Sequence, residues 1–140
     1  MDLKSSVRIL NEYIPRIDKK AKQLVLESDK TATATFLQYQ GLKIEVGAFL
    51  GDNEGNLYVS VGLVPPPKKN LEAFYKQLLL WNNFATGIGH FSLGPGGTPV
   101  FLFFRRPVTG LDYEEFETIV VNMAKTAFTT LVMIKQMFPG

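Results

Sequence analysis

The chain has 140 residues, of which 15 are basic and 13 acidic, and it contains no cysteine. That length suits one domain with a real core, and the missing cysteines exclude a disulfide framework, a thiol nucleophile and a thiolate metal site. Residues 77–104 contain no charged side chain, but two asparagines, five glycines and two prolines interrupt the stretch. It therefore lacks the ~20 predominantly apolar residues of a membrane-spanning helix. With an acid at position 2 and no apolar leader, we expect a cytosolic protein.

The N-terminal segment predicts an amphipathic helix, because apolar residues recur at three- and four-residue intervals. They are Leu3, Val7, Leu10 and Ile14. Pro15 lacks the amide hydrogen that would bond to the carbonyl of Asn11, so the helix should kink or stop there. We expect a kinked helix that ends near Leu24. Residues 23–27 fit either the end of that helix or the start of a strand.

From residue 31 the apolar period becomes two, which predicts β-structure. Residues 31–39, 42–49 and 57–63 are rich in β-branched, aromatic and aliphatic side chains, and we predict three antiparallel strands there. Residues 51–55, Gly-Asp-Asn-Glu-Gly, have the chemistry of a hairpin turn. Three successive prolines at 65–67 end this run, because proline donates no hydrogen bond to a neighbouring strand.

A helix and a second hairpin are predicted next. Asn70 is the predicted N-cap of the middle helix, which should end by Gly87. Residues 90–93 and 99–105 flank a Gly-Pro-Gly-Gly turn and are predicted as the two strands of the hairpin.

The last predicted element is a long helix. Asp112 and Glu115 have the spacing of a capping box, and the helix should continue to about residue 137. The predicted order is therefore α-β-β-β-α-β-β-α. It defines a single α+β domain over residues 1–140, in which an antiparallel sheet packs on helices.

The last predicted strand carries large apolar side chains on both faces. Val100, Leu102 and Phe104 point one way, and alternation along the strand does not say whether this set meets the helices. Phe101 and Phe103 point the other way. Because monomers seldom expose large apolar patches, burying both sets requires a second layer, which we expect another chain to supply.

The final helix also has more apolar surface than one core contact requires. Its C-terminal half is apolar over more than the roughly 100° stripe of an ordinary surface helix. We therefore predict a homodimer or partner interface that includes Phe128, Leu131 and Val132.

The sequence contains little catalytic chemistry. His90 is the only histidine, so we predict no metal site, no cofactor and no enzymatic activity. Basic and acidic residues nearly balance, and the aromatic signature of RNA-recognition strands is missing, so neither a nucleic-acid partner nor a membrane is expected. One alternative stays open: a pocket in the uncharged region around His90 would suit a small-molecule-binding protein or an enzyme.

Three segments in order resemble a known group. Residues 79–83, Leu-Leu-Trp-Asn-Asn, are similar to the Leu-Leu-x-x-Asn signature of class I type III secretion chaperones and the related YbjN-like proteins. The hairpin from Phe91 follows, and residues 106–111, Arg-Pro-Val-Thr-Gly-Leu, resemble the lead into that group's last helix. The resemblance covers roughly residues 37–137 and implies a small, often dimeric α+β sandwich without enzymatic activity.

Such chaperones hold an extended or partly unfolded segment of a partner protein across apolar surfaces, which agrees with the surplus apolar surface noted above. This chain is slightly basic, whereas secretion chaperones are commonly acidic, so an assembly chaperone of a large cytosolic complex, such as a bacterial microcompartment, is a second kind of role. The predicted partner-binding residues are four aromatic anchors and two arginines at the rim: Tyr58, Trp81, Phe101, Phe103, Arg105 and Arg106.

Overall fold

The computed structural model describes residues 1–84, 88–97 and 99–139. It has three α-helices and five β-strands in the predicted order, which confirms the α+β fold. The elements are α1 (Leu3–Ile17), β1 (Ala32–Tyr39), β2 (Leu42–Gly51), β3 (Glu54–Gly62), α2 (Leu71–Phe84), β4 (His90–Leu93), β5 (Val100–Pro107) and α3 (Tyr113–Met137).

The five strands form one antiparallel sheet in the order β1-β2-β3-β5-β4. Helices α1 and α3 pack on one face of it, and α2 lies against β4. On that face alternate residues of the strands are fully buried, as period-two patterning requires. These core residues are Leu37, Ile44, Val46, Ala48, Leu57, Val59, Val61, Val100 and Leu102.

The prediction that the first helix continues to Leu24 is wrong. Helix α1 ends at Ile17, and Asp18 takes an extended conformation. The carboxylate of Asp18 accepts hydrogen bonds from the backbone nitrogens of Lys20 (3.0 Å) and Gln38 (2.8 Å), which turns the chain away from the helix axis towards β1. Residues 23–27 are neither helix nor strand.

Turn chemistry joins β2 to β3 as predicted, although the strands extend further into the connection. Asp52 and Asn53 form a two-residue turn with φ angles of 52° and 63°. Two successive left-handed residues are the geometry that matches the twist of a hairpin, and Asn and Asp tolerate it.

Asn70 precedes α2 as predicted, but its φ of 57° is not the extended backbone of an ordinary N-cap. The predicted end of this helix by Gly87 lies outside the described residues. The second hairpin is confirmed, with β4 paired to β5 through four residue pairs from His90↔Phe103 to Leu93↔Val100.

Helix α3 begins where predicted, since the side chain of Asp112 accepts a hydrogen bond from the nitrogen of Glu115 (2.7 Å). By length and composition alone α3 could cross a membrane. Part of it is buried inside this protein, however, and core helices of soluble proteins pass the same test. Its buried face includes Phe116, Val120 and Met123.

Candidate partner-binding site

The face of the sheet opposite the helices carries a band of aromatic side chains, and we call this surface the open face. Val100 and Leu102 are fully buried under the helices, so Phe101 and Phe103 lie on the open face. The strand register places Tyr58 and His90 there as well, because Ser60 and His90 are paired with Phe103 and Tyr58 is two residues before Ser60. Alternation along β5 did not decide which of its faces meets the helices. In the structure it is the face that carries Val100 and Leu102.

The aromatic rings on the open face contact one another across four strands. The ring of Tyr58 stacks on that of Phe103, with centroids 5.7 Å apart and 16° between the planes. Phe49 lies on the other side of Tyr58 at 6.1 Å, and His90 contacts Phe103 at 5.7 Å. Tyr58, Phe101 and Phe103 are half-buried, so a ready-made apolar surface remains accessible.

A glycine on the neighbouring strand lets the ring of Tyr58 lie against the sheet. Gly47 is paired with Tyr58, and a Cβ at position 47 would collide with the tyrosine ring. Gly62, paired with Phe101, leaves that ring in ordinary contact range, 3.6 Å from where a Cβ would stand. The result is a flat surface, which suits the broad contact of another protein segment better than the enclosure of a small molecule.

Charged side chains on the open face include Glu45, Lys43 and Arg105. Burial, and then the negative charge of Glu45, raise the pKa of Tyr58 to about 12, so its hydroxyl stays protonated at neutral pH. The ammonium of Lys43 lies 4.2 Å from the centre of the Phe36 ring, and Arg105 is exposed beside Tyr58 in the strand register. A partner segment would therefore meet aromatic rings with positive charge at two margins.

The two arginines predicted together at the rim point to opposite faces. Arg106 lies on the helix side, where its guanidinium binds the carboxylate of Glu115 and the carbonyl of Thr109 (2.9 Å). These contacts tie the end of β5 to the start of α3. In this structure Arg106 holds the connection, whereas Arg105 remains accessible.

Trp81 is not brought together with the other predicted anchors. Its side chain is 6% exposed and packs against Phe91, with ring centroids 6.0 Å apart, on the helix side of the sheet. On α3, Phe128 and Val132 are exposed and Leu131 is half-buried, so these three line the solvent side of that helix as expected.

A second accessible feature, which sequence reasoning missed, runs along the free edge of β1. Residues 18–27 form an irregular strap that faces residues 33–38 across a groove of about 640 Å³, which we call the β1 groove. The Thr33 hydroxyl donates to the carbonyl of Val25 (2.8 Å) at one end of the groove, and Asp18 accepts from Gln38 at the other. Asn11 holds the strap by two hydrogen bonds to the backbone of Leu24, which is buried.

The β1 groove exposes unpaired backbone. The backbone nitrogen of Gln38 points away from β2, since it donates to Asp18. Alternate residues of a strand direct their backbone N–H and C=O groups to the same side. The backbone groups of Ala34 and Phe36 therefore also point into the groove. Among the described residues these outward groups have no hydrogen-bond partner. An edge of this kind is a template for pairing with another chain.

A third surface is apolar. Leucines on α2 and β4 are between 42% and 68% exposed, and a small pocket of about 280 Å³ lies between the two elements. The exposed residues are Leu71, Leu79, Leu80 and Leu93. We call this set the leucine surface.

The residues around His90 do not form a catalytic arrangement in the described part of the chain. The histidine is exposed, and its ring contacts that of Phe103. No group of three or more acidic or histidine side chains that could hold a metal ion occurs among the described residues.

Comparison with known proteins finds similarity at the level of the fold. No protein-family model matches the sequence, and neither does any curated protein. A chain of the ExsC–ExsE complex is 22% identical and superposes with a TM-score of 0.67, covering 94% of this chain and 95% of that one. A chain of the HopA1–SchA chaperone–effector complex is 11% identical with a TM-score of 0.59, covering 91% of this chain and 96% of that one. The chain thus has the fold of type III secretion chaperones, as the sequence resemblance implied.

Proposed function

We propose that this protein is a non-catalytic cytosolic chaperone or assembly adaptor that binds an extended segment of a partner protein. The observation that carries the proposal is the open face, where Tyr58, Phe101 and Phe103 form a flat, half-exposed aromatic surface. Aromatic side chains with charged residues at the margin are typical of protein-binding surfaces. The two structural neighbours described above were solved as complexes with another protein, and one is described as a chaperone with its effector.

The β1 groove adds backbone recognition to these side-chain anchors. A partner strand that entered the groove would meet the free donors and acceptors of Ala34 and Phe36. Phe36 is 49% exposed and its side chain lies on the open face, so the groove borders the same face as the aromatic band. One extended segment could therefore pair with β1 and place its side chains against the aromatic band.

The nature of the partner is the finer part of the proposal. A subunit of a large cytosolic assembly, such as a bacterial microcompartment, is the client suggested by the slightly basic composition. The likeness to YbjN-like proteins rests on the sequence motifs and stays a prediction.

Substitution of Phe103 tests the open face. We expect Phe103→Asp to stay folded and to lose most of its client, because a charge in the centre of the aromatic surface cannot be desolvated. The measurement is affinity capture from the native cell with peptide mapping of the retained segment. Leu50→Asp is the matched control, since Leu50 is 45% exposed and lies at the end of β2 on the helix side of the sheet.

Equal retention of that segment by Phe103→Asp and Leu50→Asp would contradict the proposal. So would unfolding of Phe103→Asp in circular dichroism, which would place the ring in the core.

We also propose that two copies of the chain pair as a homodimer. The predicted interface on α3 (Phe128, Leu131 and Val132) includes exposed apolar side chains, but Lys125 and Lys135 lie on the same helix. Leu79, Leu80 and Leu93 of the leucine surface fall in the stretch without charges. Glu72 and Lys76 border this surface beside Leu71 and Leu79, but no charged residue lines its pocket between α2 and β4. Because permanent interfaces are depleted of charge at their centre, the leucine surface is the better candidate for the second copy.

A further inference from the structure

The second free edge of the sheet, β4, is organised differently from β1. The nitrogen of Gly94 donates to the carbonyl of Pro99 (2.9 Å), so even-numbered residues of this hairpin direct their backbone towards β5. Phe91 and Leu93 therefore direct theirs outwards, to the free edge. The outward groups of Phe91 lie in the middle of the strand, where an added strand would pair first.

The side chain of Asn82 forms hydrogen bonds with both outward groups of Phe91. Its side-chain oxygen accepts from the nitrogen of Phe91 (2.5 Å), and its side-chain nitrogen donates to the carbonyl of Phe91 (3.2 Å). One donor and one acceptor exchanged with a single residue is the pattern that a paired residue of an antiparallel strand supplies. The amide of Asn82 thus substitutes for a neighbouring strand at the centre of β4.

The setting explains why such a substitute is needed. Natural edge strands are commonly protected by charged side chains or proline, yet residues 77–104 contain no charge and β4 contains no proline. Exposed Leu79 and Leu93 flank the edge. An unprotected strand with apolar neighbours is an aggregation site.

We propose that Asn82 closes the β4 edge to strand addition, so that extended chains add at β1 and not at β4. The statement about β1 rests on the proposed function, whereas the closure of β4 does not. Asn82 is a specificity-determining residue in this scheme: β1 keeps unpaired groups at Ala34 and Phe36, while the equivalent groups of Phe91 are already satisfied.

The test compares Asn82→Ala with Asn11→Ala. Asn11 makes the same pair of hydrogen bonds to one backbone residue, Leu24, which is not in a strand. Both variants lose two hydrogen bonds, but Asn82→Ala alone frees a strand edge. Sedimentation and light scattering over a concentration series should show Asn82→Ala associating beyond the wild-type state at a roughly tenfold lower concentration than Asn11→Ala. Adding Leu93→Lys to Asn82→Ala should abolish this association beyond the wild-type state, because a lysine blunts the edge.

Association of Asn82→Ala that matches Asn11→Ala would overturn the proposal. Hydrogen exchange on the wild-type protein decides the matter even if Asn82→Ala does not fold. The amide of Phe91 should exchange at least about tenfold more slowly than the outward amide of Phe36, and equal rates would overturn the proposal. Neither measurement involves a client, so the outcome is independent of whether the open face binds one.

Discussion

Tyr58 occupies the centre of the open face, with its ring over Gly47 and against Phe103. The glycine provides the space, the stacked phenylalanine fixes the ring, and the phenol oxygen stays near Glu45. Because these rings are already ordered in the free protein, binding a partner costs little additional side-chain conformational entropy. The site is therefore expected to bind without local rearrangement.

The protonation of Tyr58 provides a pH-dependent prediction. Its pKa is raised from 10.0 to about 12 in the folded protein, so the unfolded chain releases the phenolic proton at a lower pH than the folded one. The associated stability is complete below pH 10 and is lost as the pH rises towards 12. Tyr58→Phe should lose less stability over this range than the wild type, as measured by denaturant unfolding at a series of pH values.

The matched control is Tyr39→Phe, which removes a tyrosine from β1 outside the aromatic band. In ultraviolet titration, Tyr58→Phe should lose the tyrosine whose pKa is about 12 and keep Tyr113, whose pKa is also raised by burial, whereas Tyr39→Phe should keep both. An identical late phase in both variants would contradict the assignment.

At the scale of the elements, periodicity and turn chemistry predict the order of helices and strands, because these signals are local. The Asp52-Asn53 turn and the Asp112 cap are each made within a few residues, and both are where the sequence places them. The end of α1 is not local, since Asp18 is held by Gln38, twenty residues further along the chain. A pattern search within one segment cannot find such a contact.

In the candidate site, too, local features are predictable from the sequence and features that depend on tertiary packing are not. Alternation separates Phe101 and Phe103 from their neighbours, and the structure places both on the open face. The burial of Trp81 and the role of Arg106 depend on where α2 and α3 pack, which the side-chain pattern of one element does not contain. The β1 groove was missed for a similar reason: its strap has no regular period, so nothing in residues 18–27 indicates that it faces a strand edge.

Asp18 gives a prediction for the strap. Hydrogen bonds from the backbone of Gln38 and Lys20 hold the pKa of this carboxyl below its ordinary value of 3.8. The stabilising effect is therefore present above that value and is lost as the pH falls through the folded pKa. In an NMR titration, the amide signal of Gln38 should move at acid pH as the carboxylate is protonated.

Asp18→Asn separates charge from hydrogen bonding. The amide oxygen can still accept a hydrogen bond but does not titrate, so the Gln38 amide should lose its acid transition and keep most of its protection. In Asp18→Ala the amide should exchange roughly tenfold faster at every pH, since the acceptor is gone. If acid pH, Asp18→Asn and Asp18→Ala all leave the Gln38 amide unchanged, Asp18 does not fix the strap to β1.

For the whole molecule, accessible apolar surface is divided among the open face, the leucine surface and the solvent side of α3. The open face lies on the opposite side of the sheet from α3, so one partner segment cannot cover both. Assigning the open face to a client and the leucine surface to a second copy allows both to bind at once.

Paired substitutions test the assignment of the dimer. Leu79→Asp should weaken the dimer by at least about tenfold in dissociation constant, because it places a charge in the pocket between α2 and β4, whose lining contains no charged residue. Val132→Asp, which alters an exposed residue of α3, should leave the dimer intact. Light scattering on diluted samples measures the dimer fraction of each variant. A dimer that Val132→Asp weakens and Leu79→Asp leaves intact would place the interface at Phe128, Leu131 and Val132.

The order of the strands has a consequence for how the protein folds. The pairings β1–β2, β2–β3 and β4–β5 each join neighbours in the sequence, whereas β3–β5 joins residues such as Val59 and Phe104 across the whole of α2. Closing this long loop has the largest entropic cost of the four pairings, so it is expected to come last. Tyr58 and Phe103 lie on the two sides of that ladder. A chain that has formed only its hairpins therefore has two separate aromatic pairs, Phe49 with Tyr58 and His90 with Phe103. The slowest pairing is the step that joins them into one binding surface.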